Sequence, residues 1–473
     1  MKDVNCLVIG SGPSGAITAW ELIKNKKDVL MIDSGSNLSL DSCKPYSTLE
    51  MEQKYKYGGL NPTYNNPKVS FVEGECVGGG SEVNSGFYHR TPDYIIDDWA
   101  KTNKIIDFSS SKLKEHFKII EKDISVSYLP DSIQAAKASL KLREGADKLG
   151  WKSMEVPRWY KFNKDGTGTK QSMTETYIKW YTERGGRLID NLKATRIKFL
   201  NGKWEVNCIN KKSNHSMVIK TEYLFLCGGA ISSPFLLKSS GIKKNIGNSL
   251  QMHPTVKVIA KFDEVVNYTD MGVPVHQVKE FSPLISFGCS ISSKHHLALA
   301  MLDNKKYLHI VDKEWEKMAI YYAMIKPEGK GKIIKIPFLN DPLVKFKFND
   351  NDLINLSNGL KKLCEILFKA GATNIYPSIN SFGSINYLND IQKIPDKLSK
   401  NKTSLMTIHL FSSCPMGENK NICAVDSYGK LIGYEKVYIN DGSILPTAPG
   451  VNPQGTIMAI ARRNIHKFLQ INK

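Results

Sequence analysis

The first residues of the chain follow a repeating order of apolar and polar positions. Residues Asn5 to Gly35, NCLVIGSGPSGAITAWELIKNKKDVLMIDSG, hold an apolar run, a glycine-rich turn, a helix-like stretch and a second apolar run that ends in Asp33. Short continuous apolar runs bounded by turn residues are typical of strands buried on both faces. The pattern predicts a β-α-β unit.

Three later segments add further elements. Tyr223 to Ile242 predicts a buried strand that ends at two glycines and then a helix. In residues 352–372, leucines recur at spacings of three and four, which predicts an amphipathic helix packed on the core, with Asp352 as N-cap and Gly371 as its end. Near the C-terminus, a strand ending at Asp441 leads into a proline-rich stretch that cannot be helical, and a last helix begins near Gln454.

The turn after the first strand has the spacing GxGxxG. Gly10 allows the turn, Gly12 lets the backbone approach a pyrophosphate, and Gly15 allows tight packing of the helix on the strand. The helix N-terminus then faces the phosphates with the positive end of its dipole. Asp33, at the end of the second strand, can accept hydrogen bonds from a ribose diol. These residues predict a dinucleotide site and leave FAD and NAD both open.

A second glycine-rich segment lies in GECVGGGSEVNSGFYHR, Gly74 to Arg90. Three consecutive glycines make a loop without side chains, which can lie flat against a large planar or phosphorylated ligand. The apolar residues on both sides of the glycines argue against a flexible surface loop. We therefore expect this segment to cover part of the same ligand.

Composition narrows the class of protein. The 473 residues exceed one ordinary core and predict two or more domains, with 41% hydrophobic and 23% charged residues as in globular proteins. The net charge is +19, but 57 of the 65 basic residues are lysines scattered along the chain, so we expect a solvated surface and no nucleic-acid partner. Weak contact with a membrane surface or an acidic partner stays open.

Location is predicted from the apolar pattern and the cysteines. The chain enters an apolar strand at once and holds no run of 18 apolar residues, so neither secretion nor membrane spanning is expected. The nine cysteines include no CxxC pair, which favours reduced thiols and a cytoplasmic protein.

The stretch HLFSSCPMG, residues 409–417, places His409 near two serines and Cys414. A metal site is disfavoured because the spacing to Cys414 and Cys423 matches no usual zinc pattern and no fourth ligand is evident. A serine or cysteine nucleophile lacks any accompanying signature. Taken alone, a histidine between Ile408 and Leu410 would most often be a satisfied core residue, and a catalytic base is the remaining alternative.

Four motifs together resemble the glucose-methanol-choline (GMC) oxidoreductase family of FAD enzymes. They are GxGxxG, GGGSEVN, GGAISSPFLLKSSGI and a C-terminal HxxSSCxMG…DGSxLP…NPxxT, and they span Gly10 to Thr456 in the family's order. Two weaker stretches, DPLVKFKFNDNDL and GTGTKQSMTETY, resemble the cholesterol-oxidase and long-chain-alcohol-oxidase branch. The chain departs from the family's usual Gly-Thr-Cys at Ser412-Ser413-Cys414.

The resemblance implies FAD as cofactor and assigns roles by motif. His409 is expected to be the catalytic base, and Asn452, 43 positions later, its polar partner. His253 matches a frequent family histidine that is as readily structural as functional. The expected contacts to FAD are Gly10, Gly12, Ser14, Gly15, Asp33, Gly79, Ser81, Asn84, Ala194, Asp441 and Asn452.

The resemblance also implies fold and reaction. We expect an α/β protein with a discontinuous Rossmann-like FAD-binding domain, residues 1–100, 186–255 and 405–473, and an α+β substrate domain with an antiparallel sheet, residues 101–185 and 256–404. The reaction expected is hydride transfer from a small-molecule alcohol to the flavin, with oxygen or another compound as electron acceptor. A flavin-containing lyase resembling hydroxynitrile lyases, or a flavoprotein with another role, is the alternative.

Overall fold

A computed structural model describes residues 2–163 and 167–472. Gly166, where the stretch GTGTKQSMTETY begins, lies outside them. The α-helices are α1 Pro13–Lys24, α2 Thr48–Lys54, α3 Gly80–Val83, α4 Asp93–Asn103, α5 Ser110–Asp123, α6 Lys137–Lys148, α7 Tyr177–Glu183, α8 Gly229–Ser239, α9 Lys294–Ala300, α10 Leu308–Glu314, α11 Asp350–Lys369 and α12 Gln454–Ile471.

The strands fall into two large sheets and smaller ribbons. They are β1 Lys2–Ile9, β2 Val29–Ile32, β3 Asn61–Pro62, β4 Val69–Phe71, β5 Val126–Ser127, β6 Ser153–Glu155, β7 Arg158–Phe162, β8 Gly168–Lys170, β9 Arg187–Ile189, β10 Leu192–Leu200, β11 Lys203–Asn210, β12 Ser216–Leu226, β13 Gln251–Met252, β14 Thr255–Phe262, β15 His276–Val278, β16 Ile285–Cys289, β17 Met318–Ile325, β18 Lys330–Ile334, β19 Leu343–Lys347, β20 Ala372–Pro377, β21 Leu405–Thr407, β22 Leu410–Phe411 and β23 Val437–Ile439.

The first sheet has the parallel centre that the apolar runs predict. Its order is β10-β11-β12-β1-β2-β9, with β23 also paired to β12. β1 runs parallel to β2 and β12, whereas β10, β11 and β12 form an antiparallel meander. Cys6 and Val8 of β1 pack in one apolar cluster and Val4 and Leu7 in another, so both faces of the sheet are covered. The predicted β-α-β unit is confirmed.

The second sheet is largely antiparallel. Its order is β3-β4-β21-β14-β17-β16-β15-β6, and β20 also pairs with β14. α11 packs on this sheet through the predicted stripe of buried residues Leu353, Leu356, Leu360, Leu363 and Leu367. The predicted fold class, a Rossmann-like sheet joined to an α+β unit with an antiparallel sheet, is confirmed.

The predicted domain boundaries stay a prediction, and strand pairing shows which segments join each sheet. β3, β4 and β21 were placed by sequence in the FAD-binding domain, yet they pair in the second sheet. α5, placed in the substrate domain, contributes Leu113 and Phe117 to the core of the first sheet and packs on α12. The sequence motifs mark ligand loops and do not show which sheet the flanking segments join.

The predicted cap of α11 is wrong by three residues. The N-cap is Asn349, whose side chain accepts a hydrogen bond from the Asp352 N–H, while Asp352 accepts one from the Asn349 N–H. This is a capping box with an aspartate at its third helical position. Lys369 ends the helix, and Gly371 follows with φ 89°, as expected for a helix end.

α6 crosses α11 at a glycine. A Cβ on Gly145 would lie 2.0 Å from the carbonyl oxygen of Ile366, so the two helix backbones touch there. In an isolated helix, alanine is favoured over glycine by about 1 kcal/mol. We predict the opposite sign here: Gly145→Ala lowers the free energy of unfolding by about 2 kcal/mol or more, measured by urea denaturation. Lys137→Ala, at an exposed position of α6, is the control and should change it by less than about 0.5 kcal/mol.

Candidate active site

The first glycine loop has the backbone geometry that its spacing predicts, while its contact with a pyrophosphate stays a prediction. Gly10 adopts φ 99°, and a Cβ there would lie 2.5 Å from the Cys227 carbonyl oxygen. A Cβ on Gly15 would lie 1.9 Å from the Gly10 oxygen. By contrast, a Cβ on Gly12 would meet nothing within 4 Å, and Gly12 is the N-cap of α1 without any side-chain capping bond. The uncapped helix start therefore faces open space, as a phosphate site requires.

Asp33 braces this loop from the end of β2. Its Oδ2 accepts hydrogen bonds from the Ser11 N–H at 2.8 Å and the Ser11 hydroxyl at 2.6 Å, and its Oδ1 accepts one from the Gly35 N–H at 2.8 Å. Burial raises the pKa of Asp33, although these hydrogen bonds oppose the shift. A ribose would have to share a carboxylate that already binds protein groups.

Ser11 is a residue that the sequence reasoning missed. Its hydroxyl donates to Asp33 and accepts a hydrogen bond from the Gly78 N–H at 3.0 Å. Ser11 thus ties the first glycine loop to the second, where a Cβ on Gly79 would lie 3.0 Å from the Gly12 Cα. The available signal was a small hydroxyl residue between the first two glycines of the motif.

In the second glycine loop, Ser81 and Asn84 differ in role. The buried Ser81 hydroxyl donates to the Gly78 carbonyl at 2.7 Å and accepts from the Met173 N–H at 3.1 Å, so it closes the loop on itself. Asn84 donates from Nδ2 to the Gln454 side chain at 2.7 Å. That bond joins the loop to the first residue of α12.

The remaining expected FAD contacts lie around the same edge of the first sheet. Ser14 is in the first turn of α1, and Ala194 is near the start of β10, which is bonded to the end of β2 through Leu192 N–H and the Asp33 carbonyl at 2.7 Å. The Asp441 carboxylate accepts from the Gly229 N–H at 2.8 Å and the Ser233 hydroxyl at 2.5 Å. It therefore fixes the C-terminal segment to the start of α8.

His409 and Asn452 are brought together. His409 lies between β21 and β22, and Asn452 follows a proline-rich loop just before α12. His409 Nε2 and Asn452 Nδ2 are 3.2 Å apart. His409 is half-buried, and burial, with the charge of Lys279 as a smaller cause, lowers its pKa to about 3.

The second sheet supplies a wall of polar residues that the sequence did not single out. Gln277 of β15 lies 3.4 Å from Asn452 Oδ1 and 3.4 Å from the Tyr322 hydroxyl of β17, and its Oε1 is 3.1 Å from His89 Nε2. Single glutamines and tyrosines in strands carry no sequence signature of a site. Their placement comes from the pairing of the antiparallel strands.

His253 is part of the site. The fully buried ring has its Nδ1 3.1 Å from His409 Nδ1, and its Nε2 accepts the Gly450 N–H at 3.0 Å. A backbone N–H can only donate, so the neutral His253 ring carries its proton on Nδ1 and offers it to His409. The Asn452 Nδ2 amide group offers a proton to Nε2, the other nitrogen of the His409 ring.

A neutral imidazole has one lone pair, so His409 cannot accept from both neighbours. Either it accepts from His253 and carries its proton on Nε2, or it accepts at Nε2 and turns an N–H toward His253. The Gly450 N–H favours the first arrangement. His253 therefore adds to burial in making His409 a weak base in the resting site.

Other candidates near His409 have packing roles. Cys414 is fully buried, and burial raises the pKa of its thiol. Within the described ranges, no three side chains of His, Cys, Asp or Glu are grouped to hold a metal ion. Ser412, which stands in place of the family's usual glycine, adopts φ 65°, a conformation that favours glycine. The backbone at Ser412 is therefore strained.

Fold and site together have the features of a dinucleotide-binding protein, with a polar pair of side chains at the start of its last helix. The family model described as GMC oxidoreductase matches residues 51–255 with its N-terminal part and 339–461 with its C-terminal part. An uncharacterised GMC-type oxidoreductase of Sinorhizobium fredii is 34% identical over 98% of this chain and 94% of its own length. The chain belongs to the GMC oxidoreductase family, and FAD is the cofactor that this membership supports.

Further similarities agree with the family. A long-chain-alcohol oxidase of Arabidopsis thaliana is 25% identical over 97% of this chain and 67% of its own length. The crystal structure of pyridoxine 4-oxidase from Mesorbium loti has a TM-score of 0.74 at 14% identity, covering 98% of this chain and 99% of the other. Formate oxidase of Aspergillus oryzae has a TM-score of 0.74 at 13% identity, covering 100% and 98%.

No helix in the described part of the chain is both long and apolar enough to cross a membrane.

We predict that Gly12→Ala separates folding from cofactor binding. The substituted Cβ meets no protein atom, and the φ of −60° at Gly12 suits alanine, so the fold should be kept. The methyl group would occupy the place expected for a phosphate, and we expect FAD affinity to fall by about 30-fold or more, measured by flavin fluorescence on titrating the apoprotein.

Gly15→Ala is the contrasting variant, because its Cβ would collide with the Gly10 carbonyl at 1.9 Å and should prevent folding. Wild-type FAD affinity in Gly12→Ala would place the phosphates elsewhere.

Proposed function

We propose that this protein is an FAD-dependent oxidoreductase that oxidises an alcohol, with His409 and Asn452 holding the reacting oxygen. The observation that carries the proposal is the 3.2 Å approach of these two side chains beside the uncapped start of α12. Their residue types match the histidine and asparagine that the GMC motifs predict. The long-chain-alcohol oxidases among the relatives support the alcohol as substrate class.

FAD fits the residues that are present. The open side of Gly12 and the bare Gly80, whose added Cβ would also meet nothing within 4 Å, leave a side-chain-free cradle between two loops for the pyrophosphate. Asp33 and Ala194 are proposed to hold the ribose and adenine, and Asn84 the flavin side. When bound, FAD supplies the hydride acceptor.

The chain's own residues handle the proton. We place the alcohol oxygen within hydrogen-bond distance of both His409 Nε2 and the Asn452 amide, whose Oδ1 accepts a hydrogen bond from Gln277. Proton uptake uses the arrangement in which Nε2 holds the lone pair and Nδ1–H faces His253. The resting site disfavours that arrangement, and burial disfavours a positively charged His409 ring. The hydroxyl proton is therefore proposed to leave together with the hydride and not before it.

The start of α12 adds an electrostatic contribution. Pro453 is its N-cap and makes no side-chain capping bond, so the positive end of the helix dipole is directed toward the loop that carries Asn452. This field stabilises negative charge that develops beside Asn452. Oxygen or another compound is proposed as the final electron acceptor.

The first test is anaerobic reduction of the bound flavin. We expect the flavin absorbance at about 450 nm to bleach when the wild-type protein meets its alcohol. Sugars, sterols, long-chain alcohols and aromatic alcohols are screened for this effect. His409→Ala should keep FAD and lose about 100-fold or more in the rate of bleaching, because a positioned base contributes about that much.

His215→Ala removes an exposed histidine from the connection between β11 and β12 and is the matched control. Bleaching of His409→Ala at the wild-type rate would contradict the role of His409. A flavin that stays oxidised while a cyanohydrin is turned over would instead indicate the lyase.

The second test uses pH. A histidine with an ordinary pKa of about 6.5 loses about tenfold in its neutral fraction between pH 7.5 and 5.5. Since burial lowers the pKa of His409 to about 3, the neutral base persists over that range. We expect the rate of anaerobic bleaching in stopped flow to change less than about twofold from pH 7.5 to 5.5. A tenfold fall centred on pH 6.5 would contradict this environment for His409.

A further inference from the structure

A small hairpin carries an unusual concentration of lysine. β18 and β19 pair antiparallel with strict alternation along each strand. Ile333, Val344 and Phe346 are buried, as is Gly331, whereas the other face holds the exposed Lys330, Lys332, Lys345 and Lys347 and, at its far end, the partly buried pair Ile334 and Leu343. The hairpin is therefore one-sided, with an apolar inner face and a cationic outer face.

The register places these lysines directly against each other. Lys330 is opposite Lys347, and Lys332 is opposite Lys345. Like charges in facing positions of an antiparallel pair destabilise it. None of the four has a carboxylate within salt-bridge distance in residues 2–163 and 167–472.

Two acidic residues near the hairpin have hydrogen-bond or ion-pair partners outside it. Asp341 lies 3.4 Å from Lys193, and Glu328 accepts a hydrogen bond from the Asn349 side chain at 2.6 Å. Further positive charge lies behind the hairpin: burial, and next to it the charges of Lys332 and Lys243, lower the pKa of Lys238. Lys238 and Lys243 thus add to the positive charge of the hairpin's lysines.

The connection between the two strands, residues 335–342, has an exposed apolar tip. Pro337, Phe338 and Leu339 stand out of the surface, and the Phe338 side chain is fully exposed with φ 69°. Tyr64 is exposed next to β19, where its N–H donates to the Val344 carbonyl at 2.8 Å. Lys345 Nζ lies 5.2 Å from the centre of the Tyr64 ring. Exposed aromatic and aliphatic groups next to lysines are typical of peptide segments that lie in a lipid headgroup region.

Hydrogen bonds to the rest of the protein hold the hairpin at its base. Leu250 and Gly331 exchange two backbone hydrogen bonds of 3.1 and 2.6 Å, and Lys238 Nζ donates to the Ile333 carbonyl at 2.7 Å. Leu250 is three residues before His253 of the candidate active site. Whatever binds the hairpin tip is thus held at a fixed position relative to that site.

We infer that the β18–β19 hairpin docks this protein on the surface of an anionic lipid bilayer, with Phe338 and Leu339 entering the headgroup region and the lysines contacting lipid phosphates and carboxylates. This goes beyond alcohol oxidation and does not depend on it. A second copy fits poorly, because a two-fold contact would bring the same lysines together. Nucleic acid fits poorly too, because the hairpin offers no arginine and no role for its apolar tip.

The test is cosedimentation of the FAD-loaded protein with phosphatidylcholine vesicles containing about 30% phosphatidylserine. We expect binding in low salt, little binding to pure phosphatidylcholine, and release at about 0.5 M salt. Lys332→Gln with Lys345→Gln should weaken partitioning by about 30-fold. Phe338→Ser should weaken it by about 10-fold while leaving all charges in place.

Matched controls remove the same groups elsewhere. Lys114→Gln with Lys118→Gln takes two neighbouring exposed lysines from α5, and Ile471→Ser takes an exposed apolar side chain from the end of α12. Both should bind vesicles like wild type. FAD absorbance and thermal melting of each variant establish that it is folded.

Several outcomes would overturn the inference. They are no binding of wild type to the anionic vesicles, equal losses in the control variants, a dimer in sedimentation velocity that Phe338→Ser dissociates, or tighter binding to a DNA duplex that Phe338→Ser leaves unchanged. Failure of alcohol oxidation would leave vesicle binding as predicted, so the two proposals are tested separately.

Discussion

The close approach of two glycine loops is the constraint on which the rest of this structure depends. Gly12 and Gly79 meet at backbone distance, and the Ser11 hydroxyl connects both loops to Asp33. Any side chain at these positions would push the loops apart or fill the cradle between them. Because β2 carries Asp33 and β1 carries the first loop, the parallel pairing of those strands sets the geometry of the whole cofactor site.

A second dependence runs from this cradle to the chemistry. Asn84 of the second glycine loop bonds Gln454, and two residues earlier Asn452 meets His409. The cofactor cradle and the polar pair are therefore parts of one connected network. The antiparallel sheet closes it from the other side through Gln277, so elements of both sheets surround His409 and Asn452.

The histidine pair shows how a site can be polar and weakly basic together. His253, held by the Gly450 N–H, offers a proton to a ring that Asn452 also addresses. A neutral His409 ring can accept a hydrogen bond from only one of them. Burial opposes the doubly protonated, charged ring, which could accept from neither. These contacts join three segments that are far apart in sequence.

The amino-acid sequence by itself determined the local features: the β-α-β unit, the backbone geometry at three glycines, the leucine stripe of α11 and the pairing of His409 with Asn452 through family motifs. These follow from spacing, which acts over a few residues or is preserved as a motif. It did not determine which sheet β3, β4, β21 and α5 join, nor the places of Ser11, His253 and Gln277. Those were decided by tertiary structure, because strand pairing and shared burial depend on contacts between residues whose separation along the chain leaves no periodic trace.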